Sequence, residues 1–234
     1  MRVCVYVDTF EIFTYICAGF QLSNNLISHL PYRHLFSTYI MTKPLLIIIF
    51  YLLTLSSAVA QTSFYDRLAD SAFVLTKQRV QYDPAYFVID YPKGDIPAGK
   101  GVCTDVLIRA YRKLGIDLQK EVHDDMKANF NLYPKKWGLS QTDKNIDHRR
   151  VPNLMTFFSR HGTVKQITHN PKDYIPGDVV CWNLVGDITH IGIVSKKKSA
   201  DGQRHLIVHN IGAGQVLEDC LFNFKIIGHY QYEK

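Results

Sequence analysis

No apolar run in this chain of 234 residues is long enough to cross a bilayer. The sustained run from Leu45 to Leu55 is about 11 residues, against the roughly 20 that a spanning helix requires. No basic stripe with interleaved aromatics is present, which argues against nucleic acid as a partner. His123, His161, His169, His205 and His229 lack metal-ligand spacing, so neither a metal nor any other cofactor is expected. There is no internal repeat and no low-complexity tract. Cysteine is scarce beyond residue 60, where only Cys103, Cys181 and Cys220 occur.

What precedes residue 61 reads as a targeting segment. Met41-Thr42-Lys43-Pro44 is a positively charged opening, Leu45–Leu55 an apolar stretch, and Ala58-Val59-Ala60 a small-x-small cleavage site before Gln61. Residues 41–60 are therefore expected to be a signal peptide, with Met41 the true start and residues 1–40 upstream translation. No cysteine follows Ala60, so a lipoprotein is not indicated. The expected mature chain, 61–234, has the size of one domain with a single core, and a monomer is expected. Without the three basic and two acidic residues of 1–60, 24 basic and 19 acidic residues remain, a net charge of +5. That balance suits an anionic polymer such as cell wall, although most surface charge is simply solvated.

An odd number of cysteines in an exported chain leaves at least one thiol unpaired. Cys181 and Cys220 could form a disulfide, but both lie in strand-like segments where a small buried hydrophobe is the plainer reading. Cys103 differs. It sits in Gly101-Val102-Cys103-Thr104-Asp105, just before the helical pattern Val106, Leu107, Ala110, Tyr111, Leu114. A helix N-terminus beside an imidazolium lowers a thiol pKa from about 8.5 into the range of roughly 3.5–7.5.

Hydrophobic periodicity predicts helices first and sheet second. Helices are expected over about 63–79 with Ser63 as N-cap, 103–114 ending at Gly115, 117–129 capped by Asp117, and a short one from Pro152 to Phe158. Strands are expected near 164–168, 178–183, 188–195, 205–211, 214–220 and 225–232. Lys196-Lys197-Lys198 before Asp201-Gly202 reads as a hairpin loop. Short connections imply an antiparallel sheet, and the class is α+β. In the third of these strands His190, Gly192 and Val194 share a face, with Gly192 leaving room for a packed nucleophile helix. On the next, antiparallel pairing can bring His209 beside His190, whereas Asn210 points the other way unless the strand bulges.

The order of the Cys103 helix, the Pro176-Gly177-Asp178-Val179-Val180 strand, His190-Ile191-Gly192-Ile193-Val194 and Val208-His209 resembles the NlpC-like cysteine peptidases, papain-like hydrolases of bacterial peptidoglycan. Gly101–Asp105, Ile146–Leu154 and His209–Gly212 look more narrowly like an exported bacterial family labelled as a domain of unknown function. The resemblance covers about 62–234. It implies a papain-like fold, with the nucleophile at a helix start packed on an antiparallel sheet of about five to six strands. It implies Cys103 as nucleophile, His190 as general base and His209 as the third polar residue. NlpC-like enzymes usually carry Asp-Cys-Ser, where this chain has Val102-Cys103-Thr104.

The implied reaction is acyl transfer to the Cys103 thiol and hydrolysis of an amide in peptidoglycan, by an endopeptidase or amidase without cofactor. The backbone N–H of Cys103 is the natural first oxyanion donor. Asp147-His148-Arg149-Arg150 is either a helix-entry network or a grip on a substrate carboxylate. Tyr82 and Tyr86 either line the cleft or pack, and Asn210 is a further candidate for substrate contact. A silent wall-binding module on the same fold and a thiol-dependent acyl transferase are the competing readings.

Overall fold

The computed structural model describes residues 62–234, so the expected leader and upstream segment lie outside the described residues. Among the described residues four α-helices precede a six-stranded sheet, and between them lie a two-residue parallel bridge of β1 (Gln81–Tyr82) with β2 (Lys100–Gly101) and short 3₁₀ turns at Phe130–Leu132 and Asp147–Arg149. Helix α1 (Phe64–Leu75) begins where the Ser63 hydroxyl accepts the Asp66 N–H at 3.0 Å, and it buries Leu68, Ala69, Ala72 and Leu75. Helix α2 (Cys103–Lys113) is almost wholly buried, and Gly115 follows it with φ +87°, a left-handed ending suited to glycine. Helix α3 spans Leu118–Ala128, although the expected cap, Asp117, turns its carboxylate to the Lys93 N–H instead. Helix α4 (Val151–His161) carries Pro152 in its first turn, where the missing N–H leaves no bond unmade.

The sheet comprises β3 (Thr163–Val164), β4 (Val179–Asn183), β5 (Thr189–Lys198), β6 (His205–His209), β7 (Val216–Glu218) and β8 (Lys225–Gln231), in the order β3-β8-β4-β5-β6-β7. Every pairing is antiparallel, so the class is α+β as the periodicity predicts. Lys196–Lys198 belong to β5 rather than to a loop, and Lys196 reaches back to Asp70 of α1 at 2.7 Å.

Period-two alternation divides the core. Val179, Cys181, Ile191, Ile193 and Val208 face the helices and pack with Val106, Leu107 and Cys103. Val180, Trp182, Val194 and Ile207 face the other way, against Tyr174, Cys220 and Leu221. Cys181 and Cys220 therefore lie on opposite faces of the sheet, and all three described cysteines are free thiols. The helix side of the sheet is thus the Ile191/Ile193 face. Gly192 is needed for another neighbour, since a Cβ there would lie 2.7 Å from Ile207 Cγ2 and 3.2 Å from His209 Cβ. Close approach of β6, not of a helix, excludes a side chain.

Candidate active site

Cys103 opens α2 because Val102 is extended (φ −121°, ψ −172°) and the chain turns helical immediately after it. Asp105, in the first turn, folds back to accept the Val102 N–H at 2.7 Å. The same carboxylate takes a two-pronged bond from Arg149, Nε to Oδ1 at 3.0 Å and Nη2 to Oδ2 at 3.1 Å. Arg149 Nη1 also donates to Ala85 O, and the Thr104 hydroxyl to Arg149 O. Asp105 thus provides a carboxylate at the helix start that the residue before Cys103 does not.

On the sheet side, Trp182 pairs with His190 and Val180 with Gly192, while Ile193 pairs with Val208 across β5 and β6. This register puts His209 diagonally beside His190 on one face. His190 Nε2 and His209 Nδ1 are 2.9 Å apart, with the rings nearly perpendicular at 78°. Sequence reading misses the next partner: Glu218 Oε2 lies 2.8 Å from His209 Nε2. The carboxylate only accepts, so His209 donates from Nε2 and accepts at Nδ1. His190 must then donate from Nε2, which leaves its Nδ1 with a lone pair. Three residues on three strands fix one tautomer.

Asn210, just past β6, takes no part in that chain. Its Nδ2 donates to Gly101 O at 3.0 Å and docks the segment before Cys103 at the end of the strand. The sulfur consequently lies against the backbone N–H of Ile191, the residue after His190. A cleft of about 220 Å³ opens here, lined by Tyr82, Val102, Cys103, Trp137, Arg149, Arg150 and Thr189. A larger hollow of about 490 Å³, lined by Leu132, Met155 and Tyr230 among others, contains none of these groups.

Burial dominates the ionisation. It pushes the Cys103 thiol up to about 12, with the Asp105 carboxylate adding to the rise and the N–H groups of Ile191 and Thr104 opposing it. Burial likewise holds His190 down at about 3, helped by the neighbouring His209. His209 is lowered by burial and partly restored by Glu218. At rest the pair is a neutral thiol and a neutral imidazole, not the thiolate expected from the helix N-terminus alone. Charge separates only when each ion has the other as its partner.

The remaining candidates divide. Tyr82 and Arg150 line the cleft; the Arg150 guanidinium lies 4.1 Å over the Trp137 ring, and its Nη1 is buried without a hydrogen-bond partner. Arg149 also borders the cleft but is committed to Asp105. Tyr86 is turned to Asp143 and Asn145, and buried Asp147 accepts the Asp143 N–H and faces His123. His148 is buried, with Nδ1 unpartnered. Of the run 147–150, therefore, Arg150 alone both lines the cleft and keeps a guanidinium nitrogen without a hydrogen-bond partner.

His148 and His190 both have pKa values held at about 3 by burial, below the ordinary 6.5. Between those values the unfolded chain binds more protons than the folded one, so stability falls as pH drops from about 6.5 towards 3. Each residue accounts for at most about 5 kcal/mol of that loss. Thermal midpoints across this interval should show a shallower slope for His148→Leu than for wild type. An unchanged slope would exclude His148 as a source.

Brief iodoacetamide treatment followed by mass mapping should label Cys103 first. It alone of the three thiols borders the cleft, and backbone N–H groups stabilise its thiolate. Cys181 is fully buried, and Cys220 is 5% exposed, its pKa raised by burial first and then by Glu218 and Asp219. Preferential labelling of Cys220 would count against Cys103 as the reactive thiol.

The chain belongs to the family described as "Domain of unknown function (DUF1287)", whose model matches residues 69–232. It is similar to the uncharacterized protein YijF of Escherichia coli (strain K12), with 52% identity over 165 residues, 70% of this chain and 80% of that one. Among solved structures, NlpC1 from Trichomonas vaginalis aligns over 74% of this chain with a TM-score of 0.41 and 14% identity. The chain spans just under half of that protein's length, 46%.

Proposed function

We propose that this family member is an exported cysteine hydrolase that cleaves an amide bond in peptidoglycan or its peptide fragments through an acyl-enzyme. What supports the reading is the hydrogen-bonded row Glu218–His209–His190, which leaves His190 Nδ1 with a lone pair, together with a thiol at the start of α2 against Ile191, the residue after His190. His190 Nδ1 takes the thiol proton as sulfur attacks the carbonyl carbon. The developing oxyanion is met by the Cys103 N–H and by the Tyr82 phenol, which burial and the nearby Cys103 keep protonated. His190 then gives its proton to the departing amine, and water, deprotonated by the same ring, releases the acid and restores the thiol. Arg150 is the group for a carboxylate of the stem peptide, since its guanidinium has an unused donor.

Export rests on the sequence of residues 41–60; among the described residues no helix is long and apolar enough to cross a membrane. Digestion of purified peptidoglycan followed by mass analysis of the fragments tests the reaction and identifies the bond. Cleavage between amino acids marks an endopeptidase, cleavage between sugar and peptide an amidase, and intact polymer refutes the proposal.

His190→Ala should leave almost no activity, because that ring moves the proton in both half-reactions. His209→Asn should retain measurable turnover, since an amide oxygen can still accept from His190 Nε2. His209→Ala should lose about 10²-fold or more. Full activity in His209→Ala with loss in Asn210→Ala would transfer the orienting role to Asn210. The docking of Gly101 by Asn210 predicts otherwise.

A further inference from the structure

His209 faces two ways. Its Nδ1 meets His190, while its Nε2 lies 2.8 Å from Glu218 Oε2 and 3.6 Å from Cys220 Sγ. The reaction above has no part for Cys220, a free thiol that is 5% exposed. An imidazole nitrogen, a carboxylate oxygen and a sulfur thus converge, all within 4.8 Å of one another. We propose that His209, Glu218 and Cys220 bind a divalent ion of borderline softness, Zn²⁺, and that its occupancy disables His190 as a base.

The donor set is one zinc favours, and three protein ligands leave a fourth position for water. With metal–ligand distances of roughly 2.0–2.3 Å, neighbouring donors in a tetrahedral shell lie about 3.3–3.7 Å apart. The nitrogen–sulfur separation of 3.6 Å already meets this. The nitrogen–oxygen separation of 2.8 Å must open by about half an ångström. Glu218, with a side chain 54% exposed, is free to make that movement. The frame is rigid: Ile207 pairs with Glu218 and His209 with Val216, which sets the His209 and Glu218 side chains on one face of the sheet.

Binding requires Cys220 as thiolate, so its proton is released to solvent. It also requires a lone pair at His209 Nε2, so that ring's proton moves to Nδ1. Nδ1–H then donates to His190 Nε2, and the proton of His190 moves to its own Nδ1. That is the nitrogen which must be empty to receive the thiol proton. The ion therefore acts through the tautomer chain without touching Cys103. The inhibitory consequence rests on the proposed function; the binding site does not.

Co²⁺, a coloured substitute for Zn²⁺, titrated into the purified protein should bind one equivalent with a thiolate-to-metal charge-transfer band and be displaced by Zn²⁺. Cys103→Ala should keep the band. Cys220→Ser should lose it, and Glu218→Gln, at a half-exposed position, should weaken binding by about 10-fold or more. Zn²⁺ should slow Cys103 alkylation and hydrolysis in wild type, reversibly with chelator, and do neither in Cys220→Ser. A band that survives Cys220→Ser but vanishes in Cys103→Ala would place the ion on the other thiol and overturn the proposal, as would no binding at all. A band with the expected variant pattern, in a protein that hydrolyses nothing, would refute the hydrolase reading and leave the site standing.

Discussion

Cys103→Ala is expected to release no fragments from purified peptidoglycan while keeping the wild-type fold. The substitution removes one sulfur from a side chain that is 8% exposed and already opens on the cleft, so the packing loss is small. The chemical loss is total for a covalent route, because no other described thiol borders the cleft. Removing a nucleophile that acts as a unit with its base costs about 10⁴-fold or more in turnover. Mass analysis of the digest, with circular dichroism to check folding, gives the measurement. A Cys103→Ala protein that digested wall like wild type would sink the covalent mechanism. One that bound wall unchanged, alongside a wild type equally unable to cut it, would make the chain a binding module.

Local signals made Cys103 legible. An apolar helical period begins directly after it, and Gly101 precedes it. The pairing of His190 with His209 was also within reach, because strand parity alone separates His209 from Asn210. Glu218 was not. In a three-residue strand a single carboxylate reads as solvated surface, and only the pairing of Glu218 with Ile207 places it behind His209. The thiol's ionisation was misjudged for a similar reason. A helix N-terminus can be read from sequence, whereas burial is set by the whole fold, and burial outweighs it here. The expectation that α2 packs on the Gly192 face fails for the same kind of reason. Both faces of β5 are apolar enough to pack, and the His190–Gly192 face takes β6 side chains and Trp182 instead.

The ion pair of Arg149 with Asp105 belongs to the same category, since 44 residues separate its halves. Both side chains are nearly inaccessible, 2% and 3% exposed. Breaking such a pair strands a charge in a low-dielectric interior, which costs about 3–5 kcal/mol. Arg149→Met should therefore lower the thermal midpoint by roughly 10 °C in a domain of this size. The stranded carboxylate would also act on Cys103, whose thiol it already pushes upward, so alkylation of Cys103 should slow. Asp105→Asn in the same chain removes the stranded charge, and its amide oxygen can still accept the Val102 N–H. The double variant should accordingly be more stable than Arg149→Met alone and should regain alkylation rate. A double variant no more stable than the single one would mean that the guanidinium's bond to Ala85 and its packing, rather than the buried charge, hold the start of α2 in place.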